Sequence, residues 1–239
     1  MWWFAAVHAN LLMLYRRATS AAASAPQPAR PLLDAGCGTG GLLAQLREQL
    51  PAIAAIGLDT NETACAWAAQ KSGRPVCAGS VNALPFADGV LAAIVSVDVL
   101  CHRDVDEVQA LAQFHRCLAA GGILILNLPA YHWLMSRHDA AVYNARRYTR
   151  TEVLALLRAA GFRPLFASYW NMLLFPLMVA ARKLLPGEAS RSDVALQPAI
   201  VDAACRAATA VERGLLRAGI RLPFGGSVLA VAAKARARA

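Results

Sequence analysis

The hydrophobic pattern alternates between two kinds of segment from residue 31 onward. Short, nearly continuous apolar runs, typical of buried strands, are separated by segments whose apolar residues recur every three or four positions, as in amphipathic helices. Strands are predicted in seven segments: PLLDAG, AIAAIGLD, PVCAGS, LAAIVSVDVL, ILILNLP, RPLFASYW and GGSVLAVAAKA. This alternation predicts a doubly wound α/β sheet with helices on both faces.

Four helices are predicted between these strands, over residues 40–50, 62–71, 104–118 and 151–161. Asp104 or Asp106 is the expected N-cap of the third helix. Thr151, through a capping hydroxyl, begins the fourth, and Gly161 ends it.

Residues 1–30 lie outside this alternation. They predict an amphipathic helix followed by a linker rich in Pro, Ala and Ser. A signal peptide is the alternative, but no basic residue precedes the apolar stretch, and His8 and Asn10 interrupt it. The main domain is therefore expected over residues 31–239.

A second departure is an insertion over residues 171–223, between the last two strands. Its apolar run is interrupted by Pro176 and is too short to span a membrane. We expect an in-plane helix that contacts a membrane through residues 172–185, or a lid over an apolar acceptor. A plain core helix is the alternative.

The composition of the chain limits the kinds of binding partner that we expect. The chain of 239 residues is 57% hydrophobic and 16% charged, with a net charge of +9. From residue 182 onward the chain has ten basic and four acidic residues. This excess of positive charge suits an anionic membrane surface, an anionic substrate or simply a solvated surface. Nucleic acid is not expected, because the basic residues are not interleaved with stacking aromatics. The six cysteines form neither CxxC pairs nor Cys/His clusters, which predicts no metal and a reducing, cytoplasmic location.

The segment LLDAGCGTGG is the main candidate for ligand binding. It places Gly36, Gly38, Gly40 and Gly41 between a strand and a helix, where glycines allow a tight turn and close approach of a ligand. Asp34, at the end of the strand, would repel a pyrophosphate. Its charge would instead attract the cationic methionine part of S-adenosylmethionine (SAM).

Asp59 ends the next strand, nineteen residues after Gly40. This is close to the spacing at which an acidic side chain meets ribose hydroxyls, and a carboxylate can accept from both of them. A helix-capping aspartate is the alternative.

Four segments resemble, in order, the successive motifs of class I SAM-dependent methyltransferases of the type 11-like domain: LLDAGCGTG, IGLD, AGSVNALPFADGVLAAIVSVDVLCH and FHRCLAAGGILILNLPA. The resemblance covers residues 31–129, and the last two strands resemble the antiparallel end of that Rossmann-like, seven-stranded fold. WWF, NLPAYHWLMSRHD, RRYTRTEVLALLRAAGF and SYWNMLLFP further resemble a bacterial subgroup linked to cell-envelope polysaccharide or lipid pathways.

The resemblance implies a SAM site. Its methionine moiety would be held by Asp34, Gly36, Cys37, Gly38 and Gly40. Its ribose and adenine would lie against Asp59, Thr60, Ser80 and Val81, and its methionine end against Asp98 and Val99. Ser80 stands where the family usually has an aspartate, which implies a weaker, neutral acceptor for the adenine amino group.

Two histidines are the candidate catalytic residues. A general base is needed only if the methyl acceptor is a hydroxyl or a protonated amine. His102 follows the fourth strand, and His138, beside Asp139, follows the fifth, at the edge where such sheets bind ligands. The alternative for each is helix capping or packing.

Four more residues are candidates for substrate binding. Tyr131 and Trp133 could wall an apolar acceptor, although ordinary packing explains them equally well. Arg146 and Arg147 could bind a phosphate or carboxylate, or form a salt bridge to Asp139 or Glu152.

These observations predict a SAM-dependent methyltransferase for a small-molecule or lipid-like acceptor, with O- or C-methylation favoured over N-methylation. One alternative is a nicotinamide (NAD)-dependent oxidoreductase. The other is a non-catalytic, SAM-binding subunit at the membrane periphery.

Overall fold

The computed structural model describes residues 1–22, 30–184 and 198–236, apart from the side chains of residues 21, 22, 138 and 181–184. Residues 23–29 of the predicted linker fall outside the described residues, as do residues 185–197 of the predicted insertion, and the first residues of that linker belong to the helix that ends at Ala22. The helices are α1 Trp2–Ala22, α2 Gly41–Gln49, α3 Glu62–Ser72, α4 Glu107–Cys117, α5 Arg137–Ala141, α6 Arg150–Ala159, α7 Phe175–Leu184 and α8 Ala199–Arg217. The strands are β1 Leu32–Ala35, β2 Ala55–Asp59, β3 Val76–Ala78, β4 Leu91–Val97, β5 Leu118–Pro129, β6 Phe162–Trp170 and β7 Ser227–Lys234.

The seven strands form one sheet in the order β3-β2-β1-β4-β5-β7-β6. Strands β1 to β5 pair in parallel, and β7 runs antiparallel to both β5 and β6. The predicted doubly wound α/β fold is confirmed. The carboxyl ends of β1, β2 and β4 meet at one edge, because they are neighbouring parallel strands.

The helices pack on both faces of the sheet, and the apolar side chains of each face form a separate core. One core contains Phe114 of α4 and Leu157 of α6. The other contains Leu11 of α1, Leu43 of α2 and Leu216 of α8. The amino-terminal helix therefore buries its apolar side on the domain.

Helix starts differ from the prediction by a few residues. Of the two predicted N-caps of α4, Asp106 is confirmed: its side chain accepts from the backbone N–H groups of Val108 and Gln109, at 3.0 Å each, and the helix begins at Glu107. The hydroxyl that caps α6 belongs to Thr149 and not to Thr151. Its oxygen accepts from Glu152 N, and the Glu152 carboxylate accepts in return from Thr149 N, which completes a capping box.

Helices α7 and α8 connect β6 to β7. The buried Glu212 of α8 accepts from the backbone N–H groups of Asn171 at 2.6 Å and Leu173 at 2.8 Å, just before α7. This carboxylate fixes α8 to the segment between β6 and α7. No described helix combines the length and apolar character needed to cross a bilayer.

Candidate functional site

The loop between β1 and α2 contains three glycines with positive φ: Gly36 at 85°, Gly38 at 50° and Gly40 at 77°. A Cβ at Gly36 would lie 2.2 Å from a methyl group of Val99, and one at Gly40 would lie 2.7 Å from Ala68 Cα. A Cβ at Gly38 would meet no atom within 4 Å. Gly36 and Gly40 are thus required by packing, whereas Gly38 borders open space that a ligand can occupy.

Asp59 ties this loop to the end of β2. Its Oδ2 accepts from Gly38 N at 2.9 Å, and its Oδ1 accepts from Asn61 N at 3.0 Å. Asn61 in turn caps α3 by accepting from Ala64 N at 3.0 Å. The carboxylate is half-buried, and Thr60 beside it is exposed. Asp59 therefore shapes the loop, whether or not it also contacts a ribose.

Asp34 lies behind the loop with only 3% of its surface exposed. Its Oδ2 is buried and has no hydrogen-bond partner in the described part of the chain. Burial, and secondly the negative charge of Asp59, raises the pKa of Asp34 from 3.8 to about 7. A buried carboxylate without a partner is costly, and a cationic ligand group would compensate it.

Asp98, with φ of 52°, follows β4 at the same edge. Its Oδ1 accepts from Asn127 Nδ2 at 3.0 Å, and Asn127 Oδ1 accepts from Trp170 Nε1 at 2.7 Å. Burial raises the pKa of Asp98 to about 7, although the Asn127 amide acts in the opposite direction. Sequence reasoning did not single out Asn127, although a polar residue within the apolar run ILILNLP was the available signal.

The remaining residues of the predicted cofactor site have packing roles of their own. Ser80 is half-buried, and its Oγ accepts from Asn82 N at 3.2 Å, while Val81 is buried. The Cys37 side chain is buried, and burial, followed by Asp34 and Asp59, raises its thiol pKa to about 12. Cys37 is therefore a packing residue at neutral pH and not a nucleophile.

His102 is half-buried beyond the end of β4. Burial lowers its pKa below 6.5, against the opposing effects of the Asp59 and Asp104 carboxylates. The imidazole is thus neutral near pH 7 and able to accept a proton. The side chain of His138 lies outside the described residues, so its predicted catalytic role stays a prediction.

The two arginines after α5 bind the protein itself. Arg147 is buried, and its Nε and Nη2 donate to Asp139 Oδ1 at 2.9 and 2.7 Å. Arg146 donates through Nη2 to the carbonyl oxygens of His102 and Val105. The salt bridge from Arg147 to Asp139 was the alternative explanation, and the Arg147 side chain is only 3% exposed. The Arg146 side chain is 29% exposed, so its predicted contact with a substrate stays a prediction. Both arginines hold the chain after α5 against the rest of the domain.

Aromatic side chains gather next to this edge. Tyr131 stacks on Tyr169, with ring centroids 5.1 Å apart, and also contacts Trp133 at 5.8 Å and Phe175 at 5.7 Å. Phe175 contacts Phe224 at 5.7 Å. We call these five residues the aromatic cluster. Trp133 and Phe224 are 51% and 41% exposed, so the cluster presents an apolar surface to solvent.

The model of the family described as a methyltransferase domain matches residues 33–126, which contain the glycine loop, Asp59 and Asp98. None of the curated proteins compared with the chain matches its sequence. No group of three or more metal-ligating side chains occurs in the described part of the chain.

Solved structures resemble the chain over most of its length. One is a complex of the Haloferax volcanii Trm112 methyltransferase activator with a protein described as a methyltransferase, at 18% identity over 94% of this chain and 90% of that chain, with a TM-score of 0.60. The fold is that of the class I methyltransferases. A geranyl diphosphate C-methyltransferase of Streptomyces coelicolor A3(2), bound to S-adenosyl-L-homocysteine, has 15% identity over 88% and 72% of the chains and a TM-score of 0.58.

The [4+2]-cyclase SpnF shares the same fold, with 23% identity over 88% of this chain and 77% of that chain and a TM-score of 0.56. At such identities the likeness establishes the fold, and the reaction has to be argued from the site. The matching domain and the fold support a methyltransferase with SAM as its cofactor. The unpartnered Asp34 oxygen and the open space at Gly38 fit that cofactor.

Gly38→Ala separates ligand binding from folding. The new methyl group meets no protein atom within 4 Å, so the φ of 50° alone should cost about 1 kcal/mol of stability. Because the methyl group occupies the space left for the ligand, we expect SAM affinity to fall at least about tenfold. Calorimetry and thermal melting measure the two effects.

Gly36→Ala is the matched control for the same loop. Its methyl group would clash with Val99, so it should lower the melting temperature much further than Gly38→Ala. A Gly38→Ala variant that binds SAM as tightly as the wild type would show that the ligand does not approach this glycine.

Proposed function

We propose that the chain is a SAM-dependent methyltransferase that acts on a small, apolar or lipid-like acceptor. Two observations carry the proposal together: the buried Asp34 oxygen has no hydrogen-bond partner among the described residues, and Gly38, four residues later in the chain, borders open space. SAM supplies an electrophilic methyl group on a sulfonium, so the protein's task is to align the acceptor and exclude water.

The proposed roles of the cofactor residues are those that the sequence resemblance implies. Asp34 offers its unpaired oxygen to the cationic methionine end, and the loop over Gly36–Gly40, with Cys37 packed beneath it, lets that end approach the backbone. Asp59, with Thr60 beside it, accepts from the ribose hydroxyls while it still holds Gly38 N. Ser80 and Val81 flank the adenine, and Asp98 and Val99 border the methionine end on the β4 side. The same Asp34 charge disfavours NAD, whose pyrophosphate it would repel.

The aromatic cluster is the proposed binding surface for the methyl acceptor. Its exposed Trp133 and Phe224 offer apolar surface beside the sheet edge, whereas the buried Arg147 is already bound to Asp139. This favours an acceptor whose apolar part lies on aromatic rings. It agrees with the lipid pathways of the bacterial cell envelope that the sequence resemblance implies.

His102 is the proposed general base when the acceptor is a hydroxyl. Burial lowers its pKa, so the imidazole is neutral near pH 7, and it follows β4 at the same edge as Asp98. Its role is to accept the acceptor proton as the methyl group transfers. A carbon acceptor that is already nucleophilic would not need it.

Asp34→Asn tests the charge that the cofactor requires. In the wild type we expect SAM affinity to rise as the pH increases through about 7, because the Asp34 carboxylate then ionises and attracts the ligand cation. The variant should bind SAM at least about tenfold more weakly at pH 8, with a smaller dependence on pH. Asp98, which ionises over the same range, accounts for the dependence that remains.

The same variant should be more stable without ligand. The folded protein holds the Asp34 proton more tightly than the unfolded chain, so stability falls as the pH rises from about 4 to about 7. Removing the charge should raise the melting temperature at pH 8 by at least about 2 °C, with little change at pH 4. Glu48→Gln, on the exposed side of α2, is the control. Unchanged SAM affinity in Asp34→Asn at pH 8 would contradict the assigned role.

Methyl transfer is tested with SAM that carries a radioactive methyl group and a total-lipid extract of bacterial envelopes. The wild type should move the label into the organic phase. Trp133→Ala should lower the rate about tenfold at limiting extract while leaving SAM affinity unchanged, because it removes acceptor surface alone.

Trp67→Ala is the matched control, since Trp67 is 58% exposed on α3 and lies outside the aromatic cluster. If the label stays in the aqueous phase although SAM is bound, the lipid-like acceptor is wrong. Binding of SAM without transfer to any envelope fraction would favour the non-catalytic alternative.

A further inference from the structure

A groove of roughly 650 Å³ lies between α1, α8 and the end of α2. Its apolar lining is Ala9, Leu12 and Met13 on α1, and of these Leu12 and Met13 are buried. This volume is in the range of sites that take up small organic ligands. The groove thus combines a usable size with an apolar floor.

Four arginines line the same groove: Arg16, Arg17, Arg213 and Arg217. The first two are consecutive on α1, and the last two are four residues apart on α8 and so share one helix face. No acidic side chain lines the groove, and none of the four guanidiniums forms an ion pair within the described parts of the chain. Burial and the charge of Arg217 both lower the pKa of Arg213, as expected for uncompensated positive charge.

Helix capping explains part of this arrangement. Arg16 Nη2 donates to Gln49 O at 3.3 Å, and Arg17 Nη1 donates to Leu216 O at 3.1 Å, so each serves the carboxyl end of a helix. A guanidinium has five N–H donors, so most donors on both residues stay available. Capping does not account for Arg213 and Arg217, which bring two further positive charges to the same groove.

We propose that this groove binds a phosphorylated amphiphile, with the phosphate or diphosphate head held by the four arginines and the apolar chain on the α1 floor. Guanidinium groups bind phosphate oxygens in a bidentate manner, and no carboxylate in the groove lining competes for them. The three apolar residues beneath them select a ligand with a chain over free phosphate.

This site is separate from the methyl-transfer edge. The glycine loop precedes the first residue of α2, whereas the groove includes Gln49, the last residue of that helix. A helix of nine residues is about 13 Å long, so a ligand in the groove would not compete with SAM. The inference therefore does not depend on the proposed function.

The test is calorimetric titration of the full chain with dodecyl phosphate below its micelle concentration, inorganic phosphate, and dodecyl maltoside as a neutral amphiphile. We expect dodecyl phosphate to bind at least about tenfold more tightly than the other two. Arg213→Glu/Arg217→Glu should remove at least about tenfold of that affinity. Its new carboxylates would face Arg16 and Arg17, so the variant is expected to stay folded, and an unchanged melting curve checks this.

The matched control is Arg158→Glu/Arg163→Glu, which changes the net charge equally at exposed positions outside the groove. It should bind dodecyl phosphate like the wild type. Arg213→Gln/Arg217→Gln removes the two charges without reversing them and should also lose affinity for dodecyl phosphate. This variant shows whether the loss in the glutamate variant comes only from the new negative charges. Equal losses in the groove and control variants, or equal affinity for phosphate and dodecyl phosphate, would overturn the proposal.

The source of the ligand is identified with phosphatidylcholine vesicles that contain or lack phosphatidic acid. Sedimentation with the phosphatidic acid vesicles that requires Arg213 and Arg217 would identify a membrane lipid. Binding of monomeric dodecyl phosphate alone would identify a dissolved phosphorylated ligand.

Discussion

The Asp59 carboxylate joins the ends of two parallel strands through hydrogen bonds from Gly38 N at 2.9 Å and Asn61 N at 3.0 Å. One oxygen sets the loop after β1, and the other sets the turn into α3. In the loop that Asp59 holds, Gly36 lies against Val99 and Gly40 lies against Ala68, so the loop also contacts the segment after β4 and helix α3. The same carboxylate lies close enough to Asp34 to raise its pKa, so the shape and the charge of the site have a common origin.

The site is electrostatically incomplete by itself. Asp34 and Asp98 both have pKa values raised to about 7 by burial, and Asp34 has a buried oxygen without a hydrogen-bond partner among the described residues. The cost of burying a carboxylate is tolerated where a ligand compensates its charge, so carboxylates with perturbed pKa values often mark functional sites. Asn127 and Trp170 stabilise the Asp98 side in the absence of ligand. The arrangement therefore favours a ligand with a positive charge near Asp34.

The sheet and the glycine loop could be predicted because their signals are local: apolar runs, helical periodicity and glycines at fixed spacing. The hydrogen-bond chain from Trp170 through Asn127 to Asp98 could not be predicted, because Asn127 and Trp170 lie on strands that come together only when β7 inserts between β5 and β6. Thr149 was missed as a helix cap because another hydroxyl follows two residues later, and only the backbone geometry distinguishes them. The salt bridge of Arg147 could not be distinguished from a substrate contact by sequence, because the distinction depends on where the buried Asp139 lies. The arginine groove depends on contact between the first and last helices, which local patterns do not reveal.

The central claim is that the edge formed by Asp34, the glycine loop and Asp59 binds SAM. Calorimetric titration of the full chain with SAM, S-adenosylhomocysteine and NAD tests it most directly, alongside an Asp59→Ala variant. The account predicts binding of SAM and S-adenosylhomocysteine in about the micromolar range, lost in the variant, and no binding of NAD. Binding of NAD in their place, or of none of the three, would contradict it and leave the glycine loop as a turn without a cofactor.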